Sequence, residues 1–269
     1  MIDRDIDMKR ILASSLLLLA FLVYGPAPSA AAGKIGVVLM HGSRGTTSAH
    51  SPLAPLMSAL RRAGILYVAP EMPWSRARYI DKDVEGSLKE IDRAVATLKA
   101  KGATVIVVGG HSIGANAAMI YGAHRKGVAG VMAIAPGHVP SLMGWQAKMH
   151  YDYRRAEKLV KAGKGNSRAS FHFFVQGHPF TKSVKAEVYY SWFDPFGEAT
   201  FAKNAEALQS GAALLWIVGR NDTMAKRGKY FAYAKAPKNP RSEYVVVSGG
   251  HMATPRIGAQ KIVAWLQAL

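Results

Sequence analysis

Ser112 sits at the centre of Gly110-His111-Ser112-Ile113-Gly114, between the branched apolar run Val105-Ile-Val-Val108 and the small-residue stretch Ala115-Asn-Ala-Ala-Met119. A G-x-S-x-G pattern between a strand and a helix has the spacing of a nucleophile elbow. The chemistry explains the glycines. A serine raised on a sharp strand-to-helix turn brings strand and helix so close that the residues two positions to either side must lack side chains. Gly110 and Gly114 meet that demand. The same turn aims the first amides of the helix, notably Ile113 N–H, at negative charge developing beside Ser112. Two other reactive residues follow apolar runs in the same way: Asp222 after Ala213–Val218 and His251 after Glu243–Val247.

The elements that must position these three residues read as alternating strands and helices. Strands are expected at Lys34–Met40, Ile65–Ala69, Thr104–Gly109, Gly130–Ala135, Ala213–Val218 and Glu243–Val247, each a short run rich in branched apolar residues. Helices are expected from Ser51-Pro52 to Ala63, over Asp83–Ala100 with apolar residues at helical spacing, from Ala115 to Arg125, over 141–165, at Thr200–Gln209, at Ala225–Ala236 and from Pro255 to Leu269. This alternation predicts right-handed crossovers and a mostly parallel central sheet flanked by helices. The rhythm breaks once. Ser170–Val175 and Val184–Tyr190 predict a small hairpin insertion near 170–190, which either caps a site or extends the periphery. In open parallel sheets, ligands collect beyond the carboxyl ends of the strands, so Ser112, Asp222 and His251 can converge there.

The order serine, acid, histidine is that of the α/β-hydrolases, and Lys34–Leu269 resembles a compact secreted member of that family. The resemblance implies that His251 takes the Ser112 proton, while Asp222 orients and stabilises the ring. Asp194, after the hairpin, is a second candidate for the acid. His41-Gly42-Ser43 resembles the family's loop after the early strand, so Ser43 N–H would pair with Ile113 N–H as the oxyanion hole. Trp74, His138, Trp145, Trp192, Phe193 and Met252 fall on loops expected near this edge, where they line a pocket or pack loops onto the core. The implied activity is a serine hydrolase, esterase-like or lipase-like, acting on small-molecule or lipid-like esters. A thioesterase or peptidase would use the same triad, and a non-catalytic protein binding anionic envelope components is the alternative of a different class. A dehalogenase or epoxide hydrolase would be expected to carry Asp at the elbow, where this chain has Ser112.

Composition narrows the field. The 269 residues contain no cysteine, so thiol nucleophiles, thiolate metal sites and disulfides are excluded. The histidines form no recognisable ligand set, and neither a metal nor a cofactor is expected. Residues 1–32 read as a signal peptide: Met8-Lys-Arg10 is a basic start, Ile11–Tyr24 a mostly apolar run, and Ala30-Ala-Ala32 a small-residue cleavage site. Met8 is an alternative start, because Asp3, Asp5 and Asp7 suit an export signal poorly. The run is shorter than the roughly 20 residues that span a bilayer, which favours cleavage and a secreted or periplasmic single domain over 33–269. The net charge of +18 points to anionic partners such as an envelope surface, or to solubility alone. With no basic stripe interleaved with aromatics and no helix-turn-helix pattern, nucleic acid is not an expected partner.

Overall fold

Period-two burial on both faces of a sheet dictates the architecture. In the strand Ile35–Met40 (β1), Val37 and Leu39 join one apolar cluster while Val38 and Met40 join another. The same division recurs across β3 (Val105–Ser112), β4 (Gly130–Pro136) and β7 (Ala213–Gly219). Strands buried on both faces are near-continuous apolar runs, which is how these segments read in the sequence. The computed structural model describes residues 33–175 and 177–269, which form one compact unit. The expected signal peptide lies outside the described residues.

With β2 (Leu66–Val68) and β8 (Glu243–Val247), these strands make a six-stranded parallel sheet in the order β2-β1-β3-β4-β7-β8. The helix α1 (Ala54–Arg62) packs its Leu56, Met57 and Leu60 on one face, together with the C-terminal helix. On the other face lie α2 (Val84–Ala100) and α3 (Ile113–His124). Asp83 caps α2 by accepting from Gly86 N–H at 2.8 Å, which fixes where that helix begins.

Between β4 and β7 the chain builds a separate layer: α4 (Met143–Lys161), the antiparallel hairpin β5 (Arg168–Val175) and β6 (His178–Lys185), then α5 (Ala186–Phe193) and α6 (Phe201–Glu206). The hairpin is tied to α4 by the buried Asp152, whose Oδ2 accepts from both His172 N–H and His172 Nδ1–H at 2.7 Å. Arg155 Nη2 lies 3.2 Å from the other carboxylate oxygen, an ion pair without hydrogen-bond alignment.

Three elements differ from expectation. The second hairpin strand runs over His178–Lys185 instead of Val184–Tyr190, and Ala186–Phe193 is helical. Val188, Tyr189, Trp192 and Phe193 have strand propensity, but their spacing buries one helical face, with Tyr189 stacked on Phe171 and Phe193 at 4.3 and 4.2 Å. Tertiary packing overrides propensity here. The segment expected as one helix over Ala225–Ala236 is three 3-10 turns, interrupted by Gly228 at φ 66° and Ala232 at φ −148°. The final helix divides at Gly258 into α7 (Thr254–Ile257) and α8 (Ala259–Gln267), where a side chain would strike Ile217 at 2.5 Å.

Candidate active site

The elbow is built by close approach. A β-carbon on Gly110 would fall 2.6 Å from the Gly114 carbonyl carbon, and one on Gly114 would fall 2.6 Å from Met40 O. Only hydrogens fit in either place. Between them Ser112 adopts φ 59° and ψ −119°, a conformation that costs a non-glycine residue about 1–3 kcal/mol. Strain recurs around the same sheet edge, at Ala135 (φ 41°), His138 (φ 60°) and Arg44 (φ 52°). The β3–β4 register also shifts between His111 and Ser112.

Asp222 and His251 meet at this edge. His251 Nδ1–H donates to Asp222 Oδ2 at 2.7 Å, and the second carboxylate oxygen accepts from Met224 N–H at 2.9 Å. Burial by itself would raise the Asp222 pKa, but the bonds from His251 and Met224 outweigh it and hold the carboxyl below its ordinary value. The carboxylate is therefore charged where it faces the ring. The loops carrying the two residues are stitched together, since Arg220 and Asn221 N–H donate to Val247 O and Gly249 O. A β-carbon placed on Gly137 would lie 2.6 Å from Ser112 Oγ and 3.4 Å from His251 Cε1, so serine and imidazole face the same small gap. The candidate acid Asp194 is not part of this group: its Oδ1 accepts from Phe196 N–H and closes a local turn.

The expected oxyanion amides border the same space. Arg44 and Gly45 N–H are bonded to Trp74 O and Gly42 O, whereas among the described residues Ser43 N–H donates to no protein group. Ile113 opens α3, and the first amides of a helix have no partner within it. His41 braces this loop as a neutral ring, with Nδ1–H donating to Gly42 O at 2.8 Å and Nε2 accepting from Met72 N–H at 3.1 Å. Burial pushes its pKa down.

A cleft of about 1320 Å³ opens over these groups. Of the residues expected to line it, His138, Trp145, Phe193 and Met252 do so. Trp74 and Trp192 do not. Both are almost fully buried beneath the cleft, stacked edge-to-face at 5.5 Å, and their indole N–H groups hold His41 O and Lys82 O. Trp145 lies on α4 and Trp192 and Phe193 lie on α5, not on loops as expected, and burial decided which of the aromatics line the cleft. The hairpin supplies Phe173, Phe174 and Val175, so it caps the cleft.

Three further residues shape this group, and neither Asn116 nor Gly137 stood out in the sequence. His111 is buried, its pKa lowered to about 4 chiefly by burial and then by the neighbouring His251 ring, and its Nε2–H donates to His251 O at 3.1 Å. Asn116 donates to His138 O and Ala199 O at 2.6 and 2.9 Å, fixing the strained turn after β4. An amide amid the alanines of the elbow helix was the available signal. Gly137 faces Ser112, and nothing local marks it apart from other loop glycines. Among the described residues no three His, Asp or Glu side chains are arranged to hold a metal ion.

A parallel sheet whose strained serine, imidazole and carboxylate gather at its carboxyl edge beneath a cap defines an α/β-hydrolase architecture. The family model described as "Alpha/beta hydrolase family" matches residues 37–264, and the chain belongs to that family. Among solved structures, it is similar to a monoacylglycerol lipase from Paleococcus ferrophilus, with a TM-score of 0.63, 21% identity and coverage of 87% of this chain and 94% of that one. It is also similar to a thermostable carboxyl esterase from Bacillus coagulans, with a TM-score of 0.60, 13% identity and coverage of 88% and 89%. An esterase domain from Rhodothermus marinus aligns with a TM-score of 0.55, 14% identity and coverage of 90% of each chain. At these identities the likeness is one of fold. No curated protein matches the sequence significantly.

Proposed function

We propose that this protein hydrolyses carboxylic esters through an acyl-enzyme on Ser112. The observation that carries this reading is the 2.7 Å bond from His251 to a charged, buried Asp222, set across a narrow gap from a serine in a strained turn. With Nδ1–H held by Asp222, His251 Nε2 keeps a lone pair for the Ser112 proton. As Oγ bonds to the ester carbonyl carbon, that proton passes to Nε2, and the carbonyl oxygen gains charge opposite Ser43 N–H and Ile113 N–H. Collapse breaks the bond to the alcohol oxygen, which leaves with the proton from His251. Water then gives a proton to the same ring as it attacks the acyl carbon, and Ser112 leaves with that proton as the acid departs.

The apolar cap end of the cleft, with Val139, Leu142, Trp145, Phe173 and Phe193, supports an acyl chain over a polar peptide. The esterase and lipase neighbours of the fold are consistent with this. Residues 1–32 are read as an export signal, which N-terminal sequencing of an envelope fraction tests: a mature start near Gly33 supports it, and a retained Met1 or Met8 refutes it.

The deciding experiment is labelling with a fluorophosphonate beside a short-to-long acyl ester series, on the parent and on Ser112→Ala. Labelling and turnover should vanish together in the variant. A folded parent that neither labels nor cleaves any ester refutes the reading, and leaves a non-catalytic binding protein.

A further inference from the structure

We infer that Arg44, Arg76 and Lys148 form an anion subsite at the mouth of the cleft, so that the substrate carries a carboxylate or phosphate in addition to its apolar chain. The substrate part of this inference rests on the ester reading above. Among the described residues, the charged side chains lining the cleft are these three cations and Asp222, and Asp222 is already engaged by His251. Among the described residues, none of the three cations enters an ion pair. Arg78, two positions beyond Arg76, shows the contrast: Asp81 and Glu90 hold it at 2.9 and 2.7 Å.

Instead of carboxylates, aromatic faces hold two of the three. The Arg44 guanidinium lies 5.1 Å over Phe180 and 5.7 Å from the Tyr79 ring, and the Lys148 ammonium lies 5.2 Å over Phe174. A ring face positions a cation without neutralising it. Arg76 comes from a loop bonded to that of Arg44 through Arg76 N–H to Gly45 O at 3.1 Å. The loops after β1 and β2 thus supply two cations to the cleft lining, and α4 supplies the third.

A neutral ester gains nothing from such a rim. An amphiphile with an anionic group gains twice, because its chain fits the apolar end while its charge meets cations beside low-dielectric walls. Both possible sources of the anion share this chemistry: a phosphate on the alcohol side, as in a lysophospholipid headgroup, or a carboxylate at the far end of the acyl chain.

Non-cleavable ethers separate binding from catalysis. The probes are 1-O-dodecylglycerol, its 3-phosphate, and the analogue bearing a carboxylate at the end of its chain, each titrated calorimetrically into the parent. One anionic probe should bind about 5- to 30-fold more tightly than the neutral ether at about 50 mM salt, falling below about 2-fold at 0.5 M. Which arm shows the preference identifies the source of the anion. The double variant Arg76→Gln/Lys148→Gln should abolish the preference, while Lys99→Gln on the outer face of α2 should keep it. Equal binding of all three probes at low salt, or a preference that survives the double variant, overturns the subsite even if esters are hydrolysed. Failure to label or cleave esters, with this preference intact, overturns the hydrolase reading alone.

Discussion

Gly137→Ala should silence Ser112 while leaving the fold intact. The added methyl carbon would sit 2.6 Å from Ser112 Oγ, 3.3 Å from Ser112 Cα and 3.4 Å from His251 Cε1, where ordinary contacts begin at 3.4 Å. The backbone at Gly137 is not left-handed, so alanine adopts it without penalty. Relief of the shortest contact moves Oγ by close to 1 Å, through rotation about a single bond. Such a rotation keeps the strain to about 1–2 kcal/mol, a loss of a few degrees in Tm for a chain of this size. The same displacement is large for chemistry, because misplacing a reacting atom by about 1 Å costs about 100-fold in rate. Ester turnover and fluorophosphonate labelling of Gly137→Ala should therefore fall together by about 100-fold or more, with Tm close to that of the parent. Gly211→Ala, whose new methyl meets nothing within 4 Å, is the control and should retain both. A Gly137→Ala protein with kcat/KM within about 3-fold of the parent would refute the placement of Ser112 Oγ and the role built on it.

Asp222→Asn keeps the shape of the carboxylate but removes its charge and favours the wrong ring tautomer, so kcat should fall by about 10³- to 10⁴-fold in an ester assay. Asp194→Asn should leave it unchanged, and the reverse result would reassign the acid. Trp145, Met149 and Phe193 separate the main cleft from a side cavity of about 170 Å³. Trp145→Ala should join the two spaces and raise the ratio of long-chain to short-chain ester turnover; an unchanged profile would show that the chain does not reach this wall. Burial lowers the pKa of His138 to about 4, and His111 is held there too, both below the ordinary 6.5. Between those values the unfolded chain binds more protons than the folded one, so stability rises with pH there and is lost as pH falls from about 6.5 towards 4. The full effect is on the order of 3 kcal/mol per ring, and denaturant titrations across this window should show it. His138→Gln should reduce the loss, and equal stability at pH 4.5 and 7 would refute the burial account.

Much of this protein is readable in the chain because the controlling interactions are local. Branched apolar runs mark strands buried on both faces, the glycines around Ser112 announce a turn where a helix crosses close to a strand, and Asp83 marks the start of α2. The positions of Ser112, Asp222 and His251 at the ends of β3, β7 and β8 follow from topology, since parallel strands deliver their carboxyl ends to one edge. Packing between distant segments decided the rest. Val188, Tyr189, Trp192 and Phe193 have residue types that suit a strand, yet burial of one face of their segment, with Tyr189 stacked on Phe171 of the hairpin, makes it a helix. Trp74 and Trp192 look alike in sequence to Trp145, but only the last reaches the cleft, because burial depends on which surfaces meet. The facing of Gly137 and Ser112, the support of His251 by His111, and the lining of one cleft by Arg44, Arg76 and Lys148 join residues far apart in the chain. No spacing encodes them, and only the tertiary structure brings them within reach.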